Sequence, residues 1–267
     1  MKSIIFALCA MLFVTLALAQ QSPVTFSSSQ LNARIDPADG SVDIWEANTD
    51  RVFTHTFAEL RETDQASALV NTVASFASQI FTVSTPTVNN DFQGVNATSA
   101  SLTASITVAS PVDNSTSGAT LIATFFVFTA EGNITFNNQN VNVAPDHMVL
   151  LYQLQGWPIK STNNSMSIRV RLDTPSRTGT FNAPVLRLDD GAAITFAQTS
   201  TGSSAATDTP ASVAVSRGSS SVDYTMTFNA ATNVEFTALW SVEPVTSGSG
   251  GDSSAASALS TPLFAFF

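Results

Sequence analysis

The sequence predicts an all-β protein, a large antiparallel β-sandwich of two packed sheets with about a dozen strands. Three observations predict it. The first is the stretch from His147 to Asp173. Met148 to Leu154 is apolar on both faces, as a strand in the middle of a layered core must be. Met166, Ile168, Val170 and Leu172 then alternate with Ser167, Arg169, Arg171 and Asp173, giving one dry and one wet face. The second observation is another two-faced apolar run, Thr120 to Phe128. The third is punctuation. Asp36-Pro37-Ala38-Asp39-Gly40, Pro111-Val112-Asp113-Asn114, Glu131-Gly132-Asn133 and Asp189-Asp190-Gly191 are turn-forming clusters between apolar runs.

Taken in order, Leu31 to Ile35 and Val42 to Trp45 flank the first glycine turn and read as a hairpin. Val52 to Leu60 is a long strand whose Phe53, His55 and Phe57 share a face. Ala66 to Phe81 carries Leu69, Val73, Phe76 and Ile80 at helical spacing, but lacks the charge pairs that support a surface helix. Short strands are expected there, with one helix as the alternative. Leu102 to Val108 alternates, and Ile134 to Phe136 follows the turn at Gly132. Between the two-faced run and the alternating one, Trp157 offers a large apolar body and Pro158 cannot continue a central ladder. Val185 to Leu188 and Ala193 to Phe196 flank the Asp190-Gly191 turn, a hairpin signal. Thr199 to Pro210 reads as a polar loop. Val222 to Phe228 and Val234 to Val242 complete the set. A division into two small sandwiches near Pro111 to Ser117 is conceivable, but one domain over 20–245 is favoured.

The dry strand, Trp157-Pro158 and the alternating return strand resemble secreted β-sandwich proteins of protists that have no assigned role. The resemblance implies the fold and carries no functional residue.

The ends point outside the cell. Lys2, the apolar run Ile4 to Leu18 and Ala17-Leu18-Ala19 form a secretory signal peptide over 1–19, so the mature chain is expected to begin at Gln20. Cys9, the single cysteine of the sequence, lies inside that leader, and the mature chain is therefore expected to fold without disulfides. Residues 246–267 run from small polar residues into an apolar terminus, the pattern of a GPI-attachment signal with Ser247, Gly248 and Ser249 as candidate acceptors. A flexible tail or a docked last strand is the alternative.

Only 11% of the 267 residues are charged, the net charge is −10, and Lys2 and Lys160 are the only lysines. A phosphate backbone or an anionic lipid surface needs clustered cations, so nucleic-acid and electrostatic lipid binding are disfavoured. Sequons at Asn96, Asn114, Asn133 and Asn163 are candidate glycosylation sites beside turns. Asp36, Asp39 and Asp43 place three carboxylates around a glycine turn, the oxygen-rich chemistry calcium takes, although turn chemistry alone explains them. His55 and His147 match no zinc-protease spacing, and no nucleophile elbow or phosphate loop occurs. Asp43, Glu46, Glu59, Glu62 and Asp173 could supply a glycosidase pair, and Trp45, Trp157 and Trp240 could stack on a sugar or fill a core. The expected function is a non-catalytic structural or adhesive role at the cell surface, without cofactor. A membrane tether and a glycan or surface-protein partner are the expected associations. The alternative is a carbohydrate-binding or glycan-active domain on the same scaffold.

Overall fold

The computed structural model describes residues 21–176, 178–202, 205–218 and 221–242, so the leader with Cys9 and the tail with Ser247, Gly248 and Ser249 lie outside the described residues. Within them the chain is all-β. Its first strands are β1 (Val24–Ser27), β2 (Leu31–Asp36), β3 (Ser41–Glu46), β4 (Val52–Thr63), β5 (Leu69–Val73), β6 (Ile80–Val83) and β7 (Thr87–Phe92). The middle strands are β8 (Val95–Ser110), β9 (Ser115–Phe128), β10 (Gly132–Phe136), β11 (Gln139–Val143), β12 (His147–Gln155) and β13 (Ser165–Asp173). The last are β14 (Gly179–Asn182), β15 (Val185–Leu188), β16 (Ala192–Phe196), β17 (Thr199–Gly202), β18 (Ala205–Pro210), β19 (Ser212–Arg217), β20 (Val222–Asn229) and β21 (Val234–Val242).

All ladders are antiparallel. One layer runs β1–β2–β3–β4–β13–β20–β19. The other runs β14–β15–β16–β21–β12–β9–β8, with β6 and β7 on the far edge of β8. β5 pairs with β4 and touches β8 through Thr72 and Ala109, which stitches one side of the sandwich shut. Period-two patterning sets the packing: β13 buries Met166, Ile168, Val170 and Leu172, and β12 buries Met148, Leu150, Tyr152 and Leu154 toward them in one continuous core. β12 is bonded on both edges, to β9 and β21, as its two-faced apolarity predicts.

A second, smaller apolar cluster lies on the outer face of the second layer. The separate β10–β11 hairpin lays Ile134, Phe136 and Val143 over Phe128, Val149 and Leu239 there. This covering is why Val149 and Phe128 are apolar on the side a sandwich normally exposes.

Ala66 to Phe81 forms β5 and the start of β6, not a helix. Thr199 to Pro210 corrects the expected loop: it is the β17–β18 hairpin. Ladder bonds are made by the backbone, and threonine suits a strand without being apolar, so a polar hairpin escapes a hydrophobicity pattern. The described residues hold 21 strands, more than the expected dozen, because short polar strands such as β7, β14 and β19 add to the apolar ones.

One irregularity positions the interior chemistry. In the β4–β13 ladder Arg169 faces Glu59 while Val170 faces Phe57, so Ala58 is bulged out. The bulge reverses which face of β4 points inward. Before it, Phe53, His55 and Phe57 enter the core; after it, Leu60 and Glu62 do.

Candidate functional site

His55 is wholly buried, as its shared face with Phe53 and Phe57 predicts. Its Nε2 lies 3.0 Å from the Tyr152 hydroxyl, which lies 2.9 Å from the Tyr224 hydroxyl, forming a hydrogen-bonded chain across the two layers. Tyr152 stacks on the imidazole, and Phe57 and Phe125 meet its edges. His55 Nδ1 has no hydrogen-bond partner. Burial drives the imidazole pKa down to about 4, opposed in part by its own backbone, and burial also raises both phenols. At neutral pH all three groups are uncharged.

Past the bulge, Glu62 is also fully buried. Its Oε1 accepts the Lys160 backbone N–H at 3.0 Å and Asn164 Nδ2 at 2.6 Å. Its Oε2 accepts Trp157 Nε1 at 3.0 Å and Asn71 Nδ2 at 2.6 Å. Asn71 Nδ2 also reaches Pro158 O at 2.7 Å. Gly156 N–H donates to Asn233 Oδ1 and Trp157 N–H to Thr232 O, both at 2.9 Å. One carboxylate thereby gathers the whole β12–β13 connection, and Trp157 is a core aromatic with a satisfied indole N–H.

Of the remaining glycosidase candidates, Asp43 and Asp173 stand opposite Thr54 from its two sides, in the β3–β4 and β4–β13 ladders, and three are engaged by arginines. Asp43 pairs with Arg34 at 2.5 Å, Glu46 pairs with Arg51, and Glu59 pairs with Arg61 at 2.5 Å and Arg169 at 3.3 Å. Asp223 takes Arg169 and Arg171 at 3.5 and 3.6 Å. These pairs make the outer face of the first layer a lattice of compensated charge. Trp240 is fully buried, edge-on to Phe53 at 5.4 Å, while Trp45 is partly buried. His147 Nδ1 lies 2.6 Å from Asp146 Oδ1 at the start of β12 and holds that carboxyl below its ordinary pKa.

Around the first glycine turn, Asp36 Oδ1 accepts the Ala38 N–H at 2.8 Å and Asp39 Oδ1 accepts the Ser41 N–H at 2.9 Å. Asp43 meets Thr54 Oγ1 at 2.7 Å besides Arg34. Gly40, at φ +72°, lies over the Phe81 ring, where a Cβ would come within 2.4 Å. Among the described residues no group of three or more His, Cys, Asp or Glu side chains is placed to hold a metal ion.

All four sequon asparagines are exposed. Asn114 and Asn163 sit at one pole, where Lys160 Nζ reaches Asp113 at 2.8 Å and ties the two turns together. Asn96 and Asn133 sit at the other, beside the contact of Gly132 with Val95, where a Cβ would come within 2.5 Å. Sequence reasoning missed the Glu62 knot and the hollow on the outer face of the second layer. The knot's signal was present: Glu62, Asn71 and Asn164 are polar residues embedded in or beside apolar strands.

A family model described as acidic skeletal organic matrix protein matches residues 28–170, over half of the chain's 267 residues. The matched span holds β4, the bulge, both long strands β8 and β9, and the connection gathered by Glu62. No curated protein matches the chain.

Proposed function

The chain belongs to the acidic skeletal organic matrix protein family, and from that premise we propose that it is a secreted structural protein of an extracellular matrix. In this reading it is N-glycosylated at both poles, tethered to its cell of origin through the C-terminal signal until released, and has no catalytic centre. The observation that carries the reading is the placement of the chemically able side chains. His55, Tyr152, Tyr224 and Glu62 are sealed in the core and bonded to one another or to the framework. The four sequons meanwhile face solvent. A sandwich that puts its reactive groups inside and its modification sites outside is organised to persist and to be coated.

The test is expression of the full chain in a glycosylating eukaryotic cell. Expected are a protein beginning at Gln20 in the medium or at the cell surface and a mobility shift on treatment with N-glycosidase. The shift should shrink stepwise as Asn96, Asn114, Asn133 and Asn163 are changed to Gln. A cytosolic product that keeps Met1 overturns the reading. Phosphatidylinositol-specific phospholipase releases the tethered form; recovery of an intact Phe267 by mass spectrometry removes the anchor.

A further inference from the structure

We infer that the outer face of the second layer carries a binding trench for a linear, uncharged polysaccharide. The inference deepens the matrix reading and rests on it only for the ligand's being extracellular. The trench is a hollow of about 450 Å³ that continues past the shared Thr201 and Glu235 into a second of about 210 Å³. Together they fall within the size range of ligand sites. Its floor follows two strands, with Leu151, Gln153 and Gln155 from β12 and Glu235 and Thr237 from β21. The two hollows thus follow one another along these strands, a course that suits a chain. The β10–β11 hairpin walls one side and β17 the other.

The walls are fixed before any ligand arrives. Gln93 Oε1 accepts the Thr135 N–H at 2.7 Å, and its Nε2 donates to Thr135 O at 3.3 Å. Asn137 Nδ2 donates to Phe196 O at 3.0 Å, and its Oδ1 accepts the Gln198 N–H at 2.8 Å. The hairpin is thus clamped at two points beside its turn, and Gln153 Nε2 holds Glu235 at 3.0 Å on the floor. A trench set by such bonds loses little freedom on binding.

The chemistry selects the occupant. A polysaccharide offers hydroxyls around each ring and apolar C–H faces. The lining answers with the exposed amides of Asn138 and Gln155, the Thr237 hydroxyl and two carboxylates, beside the half-buried Phe92 and Leu151. Among the described residues Asp91 and Glu235 are its only charged groups and no cation lines it, so sulfated or uronate chains and nucleic acids are repelled. An extended peptide seeking strand pairing finds no free edge on the floor, because β12 and β21 are each bonded on both sides there.

The test uses the full chain made in a bacterial host, so that sugars of its own do not compete, titrated calorimetrically with cellohexaose, N-acetylchitohexaose, mannohexaose and heparin. At least one neutral hexamer is expected to bind with a dissociation constant below about 1 mM. Thr237→Arg, which plugs the floor, should weaken it by roughly tenfold or more, and Glu235→Gln by less. Thr227→Arg, on the outer face of the first layer, should leave it unchanged. Melting curves of the variants establish that each is folded, with Glu235→Gln serving if the plug is not. Binding of heparin alone, no neutral hexamer bound at that concentration, or binding indifferent to both trench variants overturns the proposal. Secretion and glycosylation failing in the earlier test would overturn the matrix reading and leave this titration standing.

Discussion

Two buried polar residues on one strand, His55 and Glu62, are handled in opposite ways. They stand an odd number of residues apart, so a regular strand would send one outward; the bulge at Ala58 sends both in. His55 meets one partner, leaves Nδ1 without one, and is kept neutral by burial. Glu62 meets four N–H donors drawn from β5 and from the β12–β13 connection. The difference teaches what a buried polar group is for in this sandwich. At the middle of the core, where strands already hold one another by ladders and apolar faces, a polar group only bridges the layers. At the pole, where a long connection has no ladder of its own, a hub of hydrogen bonds replaces the missing sheet.

That contrast breaks most visibly at Glu62. Glu62→Ala strips the acceptor from four donors, three of them on the buried side chains of Trp157, Asn71 and Asn164. The expected loss is about 3–5 kcal/mol, the scale for dismantling a buried hydrogen-bonded charge site. Thermal unfolding should drop by roughly 10 °C for a chain of this size. Glu62→Gln keeps the shape but turns an NH₂ toward N–H donors, and should lose about half as much. A loss under about 1 kcal/mol for Glu62→Ala would mean that the connection is held by its backbone bonds to Thr232 and Asn233 instead.

The second break is by acid. Free imidazole titrates at 6.5, and His55 in the fold at about 4. The folded pKa lies below the unfolded one, so as pH falls the unfolded chain takes the proton first. The stability this group contributes is whole above pH 6.5, is lost progressively between 6.5 and 4, and is gone below that. The gap corresponds to about 3 kcal/mol. Tyr152 and Tyr224, the titratable side chains facing it, stay protonated throughout, since burial raises both. Urea unfolding midpoints at pH 7 and pH 4 measure the loss, and His55→Phe should remove this part of it while leaving that of the surface carboxylates. An equal acid loss in both proteins would place the titration elsewhere.

The fold was largely legible because apolar periodicity reports which face is dry. The runs at Met148 to Leu154 and Thr120 to Phe128 lie where their two-faced pattern puts them, at the centre of one layer. The bulge was not legible, because Ala58 is as compatible with a regular strand as with an extra residue, and register depends on the partner strand. Without the bulge, the alternation from Phe53 carries on to Glu59 and turns Glu62 to solvent, so the knot stayed hidden although its residues were in view. The β17–β18 hairpin was missed for a related reason: its pairing is written in backbone bonds, not in side-chain polarity. The trench was beyond sequence reasoning altogether. It joins Asp91, Asn137, Leu151 and Glu235 from strands and turns far apart in the chain, and no local pattern marks such a meeting.

The smallest effect sharpens the comparison further, because a chain and a hub fail differently. Tyr152 sits between His55 and Tyr224. Tyr224→Phe removes an end: Tyr152 keeps its bond to His55 Nε2, no buried group is orphaned, and about 1 kcal/mol is lost. Tyr152→Phe removes the link and leaves both the His55 nitrogen and the Tyr224 hydroxyl without their partner, at about 2–3 kcal/mol. At the Glu62 hub the order is different: Asn71 also reaches Pro158 O, but Asn164 Nδ2 ends on the carboxylate, so Asn164→Ala should resemble Tyr224→Phe rather than Tyr152→Phe. Equal losses for the two tyrosine variants, measured by denaturant unfolding at pH 7, would show that the hydroxyls contribute through packing and not as a relay of hydrogen bonds across the layers.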